Sequence, residues 1–440
     1  MAAPLRDLAG LVVGVWGVGK EGLSMARTAS EAGAERIDAV DDAGKGRIAV
    51  PDDIPRLTVY RGAEHLDRLR RCDVVFVSPG VPWAHPRFVE LRTAGIVSSA
   101  ADWYMARYAE CTVGVTGTKG KSTTASFLGR LLETVGVDVV VAGNIGTPLS
   151  DLKPDRDVVV VAEVSSQQAA LLSASPVIAV VTNLYEDHLD WHGDVAAYYR
   201  AKANVFRNGA RTLVTTPATL AAFERVGVTD FPDVVLVDPD TVENPESPTL
   251  MGYAHNVVNG ALAIAAAELV IGRPVTAAEA ETARQAFEGL PARLQTVRTT
   301  GRIRWVDDTL ATTGESVVAA LTAMRPDEHV AVIVGGMDRQ LNYDQVDDYL
   351  CGGQRRVTLI QSPSNGAAIG ARFAAEHPEH VHRVDSLAAA VRTAAALPDV
   401  DVVLLSPGAA SYDLFANYEA KGAAFRSLID GLAESVGGAD

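Results

Sequence analysis

Residues 111–127 read CTVGVTGTKGKSTTASF, and their pattern decides the fold class. An apolar run ending at Val115 leads into a glycine-rich turn; Gly120-Lys121-Ser122-Thr123 follows, and a helical pattern begins. Strand, glycine turn and helix in that order make a phosphate-binding loop, whose successive N–H groups converge on phosphate oxygens. Lys121 offers a cation to the β/γ-phosphate region, and Ser122 or Thr123 offers a hydroxyl to Mg²⁺. The usual loop leaves four free positions between its first glycine and Gly-Lys-Ser/Thr. Here Gly117 stands three residues before Gly120, and Gly114 six before it, so the loop is a shortened one.

Downstream apolar runs also end in polar residues. DVVVVAEVSSQQ (157–168) ends a buried strand at Glu163. An acid at the tip of such a strand is costly unless it meets a cation or a hydrogen-bonding network, and beside a phosphate loop Mg²⁺ is the natural partner. VIAVVTNLYEDHLDWHG (177–193) repeats the device, gathering Glu186, Asp187, His188, Asp190 and His192 after a strand. His188 and His192 are spaced for a helical zinc pair, but no complete tetrahedral set accompanies them. Surface loops often collect such residues; it is their company with Glu163 that makes a metal or nucleotide site credible.

The same alternation runs through the chain. Strands are expected at 11–17, 36–42 and 73–80, then in the Val-rich runs from 111 to 216, then at 302–308, 329–336, 356–362 and 401–408. Strands separated by helices imply parallel βαβ units, and near-continuous Val/Ile runs suit strands covered on both faces. The helical stretch 252–272 precedes GLPARLQTV (289–297), which reads as a linker. The expected architecture is three α/β domains: 1–109, 110–296 and 297–440.

The first domain carries GVWGVGKEG (14–22), in which Gly17, Gly19 and Gly22 spell G-x-G-x-x-G, with Asp41 or Asp42 about 20 positions on. That is the dinucleotide fingerprint, weak on its own, since a tight strand–helix turn also needs glycines. The turn Ser78-Pro79-Gly80 closes another strand.

Composition narrows the classes. A chain of 440 residues exceeds one ordinary core, and 48% hydrophobic with 21% charged residues reads as soluble and globular. No apolar run is long enough to span a membrane, and the N-terminal run ends in Gly-x-Gly rather than a signal-peptide cleavage site. Three scattered cysteines suit a reducing cytoplasm. A formal charge of −16 argues against general nucleic-acid binding, while leaving nucleotide ligands to local cations and backbone donors.

GVTGTKGKST, AGNIGTPL, AEVSSQQ, TNLYEDHLDWHG, YYRAKANVF, HNVVNGALAIAAA and GLPARLQ occur in the order found in the Mur ligases. The chain resembles that family along essentially its whole length, and the shortened loop is the family's form. The resemblance implies a Rossmann-like N-terminal domain, a central P-loop ATPase domain with a parallel-rich sheet, and a Rossmann-like C-terminal domain. It further implies ATP-dependent amide formation in cytoplasmic peptidoglycan precursor synthesis, by a monomer without NAD. Within the family the chain is most similar to the branch that adds glutamate to UDP-N-acetylmuramoyl-L-alanine. A folylpolyglutamate synthase-type ligase is the near alternative; an NAD(P)-dependent oxidoreductase or a regulatory nucleotide-binding module are distant ones.

The family's roles then fall on residues here. Val18, Gly19, Asp41, Asp42 and Ser78-Pro79-Gly80 would contact the UDP portion, and Asn144 would help place substrate or phosphates. Gly117, Thr118, Lys119, Gly120, Lys121, Ser122, Thr123, Asn256, Asn259, Arg293 and Asp308 would bind ATP. Ser122 and Glu163 would hold one Mg²⁺, and His188 a second. Lys202 matches the lysine that is carbamoylated in the family. Thr312, Arg339, Ser411, Tyr412 and Tyr418 would grip the glutamate, and closure of the third domain would deliver its amine.

The third domain departs from the D-glutamate pattern. DDTLATT (307–313) stands for NDSKATN, and GGMDRQLNYD (335–344) for GGxxKxxDF. Leu310 replaces a lysine, Thr313 an asparagine, and Arg339 a lysine. Arg and Lys hold carboxylates differently. This pattern resembles the variant branch that adds L-glutamate, so L-glutamate is the favoured substrate over D-glutamate.

Overall fold

The computed structural model describes residues 7–42, 53–155, 157–242, 251, 254–287, 289, 292–339, 341–353 and 355–437. Of the stretches singled out above, residues 252–253, 290–291, 340 and 438–440 lie outside that description. The chain forms two compact units, 1–287 and 288–440.

The first unit holds two sheets. One contains β1 (Val12–Trp16), β2 (Arg36–Asp41), β3 (Leu57–Arg61), β4 (Val74–Val77) and β5 (Val97–Ser98) in the order β3-β2-β1-β4-β5. All its pairings are parallel. The order reverses between β1 and β4, so the turns after both strands open on one crevice, the usual ligand position of an open α/β sheet. The other sheet contains β6 (Thr112–Thr116), β7 (Val139–Gly143), β8 (Val159–Glu163), β9 (Ile178–Val181), β10 (Thr212–Thr215) and β11 (Asp233–Leu236), in the order β11-β10-β9-β6-β8-β7. It too is wholly parallel. Its register levels Val115 with Glu163 and Thr116 with Val181, which brings the phosphate loop, Glu163 and Thr182 to one edge.

These two sheets share an apolar core, in which Val13, Phe76, Trp103 and Tyr104 join Ala162, Tyr198 and Phe206. Polar ties reinforce it. Ser24 Oγ meets Ser150 Oγ at 2.5 Å, Thr28 donates to the Ser150 carbonyl at 2.7 Å, and the Ser173 hydroxyl and N–H both donate to Asp102.

The second unit has one sheet: β12 (Gln295–Thr300), β13 (Ile303–Asp307), β14 (Val330–Val334), β15 (Val357–Gln361), β16 (Val381–Arg383) and β17 (Val402–Leu405), ordered β12-β13-β17-β14-β15-β16. Only β12 runs antiparallel. The register levels Asp307, Leu405 and Ile333, so the loops that follow β13, β17 and β14 emerge side by side.

The α/β expectation holds in all three sheets. One local reading is corrected: the end of the supposed linker is strand, since Gln295, Thr296 and Val297 begin β12. Its alternating, half-exposed pattern lacks the continuous apolar run that marks the central strands. Among the described residues no helix is long and apolar enough to cross a membrane.

Candidate active site

The phosphate loop joins β6 to the helix Lys121–Thr134. Gly117 adopts φ +147°, and a Cβ there would stand 1.9 Å from Thr182 Oγ1. Gly120 is left-handed at φ +83°, with Asn259 Oδ1 2.4 Å from where a Cβ would be. Both positions require glycine on two counts, backbone conformation and space. The turn is strapped to the loop after β9. Thr118 N–H donates to the Asn183 carbonyl (2.9 Å), Lys119 N–H to Asn183 Oδ1 (2.8 Å), and Thr182 Oγ1 to the Lys119 carbonyl (2.6 Å). Lys121 Nζ folds back on the carbonyls of Gly117 (3.1 Å) and Thr118 (2.9 Å), while Ser122 is buried and Thr123 half-buried. Asn256 and Asn259 are buried side by side, Asn259 Nδ2 donating to Asn256 Oδ1 at 3.2 Å.

Glu163 is 1% exposed. Its Oε1 accepts from Asn144 Nδ2 at 2.9 Å, and its Oε2 has no hydrogen-bond partner among the described residues. Lys202 is equally buried. It sits on the helix Val195–Arg207, begun by an Asp194 cap, and its Nζ donates to the Gly117 carbonyl at 2.7 Å. Burial, and then the charge of Lys121, hold its amine well below the usual lysine range; Asp187 and Glu163 oppose that shift. Lys202, Lys121, Glu163 and Asp187 thus feel one another across a single cluster.

His188 lies at the cluster's rim, half exposed in a left-handed turn (φ 52°), with Nε2 3.8 Å from Asp187 Oδ1. His192 is buried instead, its Nε2 3.0 Å from Ser166 Oγ; burial, then Lys202, pushes its imidazole down to about 4. Lys119 points outward and pairs with Asp187 at 3.5 Å. Tyr198 was not singled out from sequence. Its hydroxyl donates to Thr118 Oγ1 at 3.1 Å, and its ring lies 4.9 Å from Lys202 Nζ. A cavity of about 240 Å³ takes in Trp83, His192, Arg200 and Arg207 but none of the phosphate-loop residues. It is a separate feature, and the loop geometry outweighs it as a guide to chemistry.

In the first sheet, Gly17 has φ +97° against Ser78, whose Oγ donates to the Gly17 carbonyl at 3.1 Å. A Cβ on Gly22 would lie 1.9 Å from that same carbonyl. Gly19 caps the helix Lys20–Glu31 and Val18 is buried beside it. Asp42 accepts the Trp16 indole N–H at 3.0 Å, and Asp41 lies 3.7 Å from Arg61. The turn at Pro79 and Gly80 is open, with nothing within 4 Å of a Cβ on Gly80. These expected UDP residues therefore gather at the crevice of their sheet. A further tie, Gln168 Nε2 donating to the Glu21 carboxylate, links this sheet's helix to the residues after β8.

In the second unit, Asp308 is buried beneath Ser406 Oγ (2.8 Å) and Leu294 N–H (3.2 Å), and burial pushes its carboxyl up to about 7. Arg293 is exposed but lies within electrostatic range of Asp308 and Tyr418. Met337 N–H donates to the Ala410 carbonyl at 2.7 Å, tying the glycine loop before Arg339 to the loop of Ser411 and Tyr412. Ser411 is buried and its Oγ has no partner among the described residues. Tyr412 and Arg339 are exposed; Thr312 and Tyr418 are half-buried. Asp307, where the D-glutamate pattern has asparagine, is fully buried and accepts Arg426 Nη1 at 2.8 Å.

A shortened phosphate loop, a buried acid with a vacant oxygen and a desolvated lysine define an α/β enzyme built to handle a nucleotide's phosphates. Residues 115–217 match the Mur ligase middle domain, and residues 292–408 the Mur ligase, glutamate ligase domain. The chain is 38% identical to a UDP-N-acetylmuramoyl-L-alanine–L-glutamate ligase of Micromonospora sp., across 97% of this chain and 98% of that one. It is 31% identical to a UDP-N-acetylmuramoylalanine–D-glutamate ligase of Saccharophagus degradans, across 94% and 96%. The fold is similar to that of the MurF ligase from Thermotoga maritima in complex with ADP, with TM-score 0.58 and 16% identity over 98% of this chain and all of that one. The chain belongs to the Mur ligase family, the ATP-dependent ligases that join an amino acid or peptide to a carboxylic acid.

Proposed function

We propose that this enzyme adds L-glutamate to UDP-N-acetylmuramoyl-L-alanine, in the cytoplasm, at the expense of ATP. The observation that carries the reading is Glu163: a buried carboxylate with one oxygen unpaired among the described residues, set level with the end of the strand that leads into the glycine loop. Such an atom costs on the order of 1–3 kcal/mol unless a partner arrives. Mg²⁺ fits it. No group of three or more His, Cys, Asp or Glu is poised for a metal among the described residues. Mg²⁺ needs no such cage, since one or two protein oxygens plus phosphates and water suffice. Ser122 and Glu163 would hold one ion, His188 and a carbamoylated Lys202 a second. When bound, the ions neutralise charge on the phosphates.

The chain's own residues do the rest. Lys121, with the loop N–H groups, orients the γ-phosphate toward the acceptor's carboxylate. The carboxylate oxygen attacks phosphorus, ADP leaves, and an acyl phosphate forms. The glutamate amine then attacks the acyl carbon, loses a proton, and inorganic phosphate departs. Gly19, Asp41, Asp42 and Ser78 would hold the UDP end, Asn256, Asn259, Arg293 and Asp308 the nucleotide, and Thr312, Arg339, Ser411, Tyr412 and Tyr418 the glutamate.

The L-hand rests on Leu310 and Arg339, and on relatives. Identity is 38% and 37% to two relatives named for L-glutamate, against 31% and 34% to two named for D-glutamate. The test is phosphate release from ATP and UDP-N-acetylmuramoyl-L-alanine on adding either enantiomer. Release with L-glutamate alone supports the reading; release with D-glutamate alone corrects the hand; none with either rejects it.

A further inference from the structure

From residue 288 to 440 the sequence contains a single lysine, Lys421. It is 3% exposed, on the helix Tyr418–Gly437. Its Nζ donates to the Gly335 carbonyl at 2.7 Å, its only hydrogen bond among the described residues, and the Phe415 ring lies 5.9 Å away. An ammonium has three N–H groups, so two are left for another acceptor. Asp413 is the acid within electrostatic range, and it is already engaged by Ser364 N–H (3.2 Å) and Ser364 Oγ (3.0 Å).

The surroundings are those of the amino-acid loops. Gly335 opens the turn that leads to Arg339, and Gly336 packs against Ala410, whose carbonyl takes Met337 N–H. Ser411, next in line, is buried too, and its Oγ has no hydrogen-bond partner among the described residues. The same helix also braces the loop after β13: a Cβ on Gly422 would stand 2.6 Å from Asp307 Oδ2, and Arg426 pairs with Asp307. The helix therefore meets two of the three loops proposed to bind glutamate, one through Lys421 and the other through Gly422 and Arg426. A buried cation and a buried hydroxyl, both short of acceptors, are what a carboxylate satisfies.

On the reading that this unit binds glutamate, we propose that Lys421 is a substrate-binding residue: its ammonium receives a glutamate carboxylate together with Ser411. It supplies the buried charge absent at Leu310 and Arg339. Gly335 holds the ammonium in place, and burial, which pushes it down to about 8, leaves it predominantly charged near neutrality and eager for an anion.

The test is steady-state kinetics of the full chain with ATP, Mg²⁺ and UDP-N-acetylmuramoyl-L-alanine. Lys421→Met is expected to raise KM for glutamate at least tenfold, with KM for ATP and for the acceptor within twofold. Lys421→Arg, which keeps charge and donors, is expected to recover most of that loss. Unchanged glutamate KM in Lys421→Met, or an equal rise in all three constants, overturns the proposal. The wild-type protein gives an independent readout should Lys421→Met fail to fold. With lysine labelled at ¹³Cε, the resonance absent from Lys421→Arg is expected to shift on saturation with the glutamate enantiomer that turns over. A stationary resonance overturns the assignment. Wild-type enzyme that releases no phosphate with either glutamate rejects the glutamate reading itself, a result distinct from both.

Discussion

The ammonium nitrogen of Lys202 lies 2.7 Å from the carbonyl oxygen of Gly117, beneath the loop that would cradle phosphate. A buried lysine held below its usual range keeps more of its amine neutral, and a neutral amine is what attacks CO₂. The enzyme in ¹³C-bicarbonate is therefore expected to give a slowly exchanging carbamate signal by NMR. Lys202→Arg should lack it and lose at least a hundredfold in kcat. A wild-type spectrum without the signal removes the carbamate from the mechanism.

Glu163→Gln tests the vacant oxygen. The amide keeps the volume and still accepts from Asn144, so the thermal midpoint is expected to hold or rise slightly. Turnover should fall at least a hundredfold and the Mg²⁺ requirement should rise, since a neutral oxygen holds the ion poorly. Titrating Mg²⁺ in the phosphate-release assay checks both.

Gly117→Ala combines a forbidden φ with a Cβ 1.9 Å from Thr182 Oγ1, and is expected to cost about 2–4 kcal/mol in urea unfolding. Gly136→Ala serves as control, since φ is +82° but nothing stands within 4 Å. Its cost should stay near 1–2 kcal/mol.

Asp308 gives a pH signature. Its carboxyl ordinarily titrates near 3.8 and is pushed up to about 7 by burial. Between those values the folded unit holds the proton and the unfolded chain does not, so stability falls as pH rises through the window. Asp308→Asn should flatten that fall. Hydrogen exchange of strand β15 at pH 4, 5.5 and 7 measures it.

Leu310→Lys with Arg339→Lys restores the lysines of the D-glutamate pattern. The ratio of kcat/KM for D- over L-glutamate is expected to rise at least tenfold; an unchanged ratio places the choice of hand elsewhere.

The central strands were legible because they are covered on both faces and so had to be apolar throughout, as Val160, Val180 and Val332 are. Of the edge strands only the valine-rich Val139–Gly143 was legible. Leu57–Arg61, Asp233–Leu236 and Val381–Arg383 have mixed, half-exposed residues, and two-residue β5 is too short for any period. In the site, glycine spacing made the phosphate loop readable, because φ and close approach restrict residue type locally. Resemblance supplied Lys202, whose burial comes from packing that no local pattern encodes. Lys421 and Arg426 were missed for the same reason: on a helix they look like solvated charges until the fold sets them against Gly335 and Asp307.

Trp305 in β13 is 1% exposed, its indole N–H donates to Thr300 Oγ1 at 2.7 Å, and its ring meets the edge of Phe425 at 6.0 Å. The other four tryptophans, at 16, 83, 103 and 191, all precede residue 288. The chain thus carries a natural fluorophore reserved for its second unit. Emission lost on Trp305→Phe isolates that signal, and its red shift in denaturant would time the melting of the amino-acid-binding half while the remaining indoles report the other.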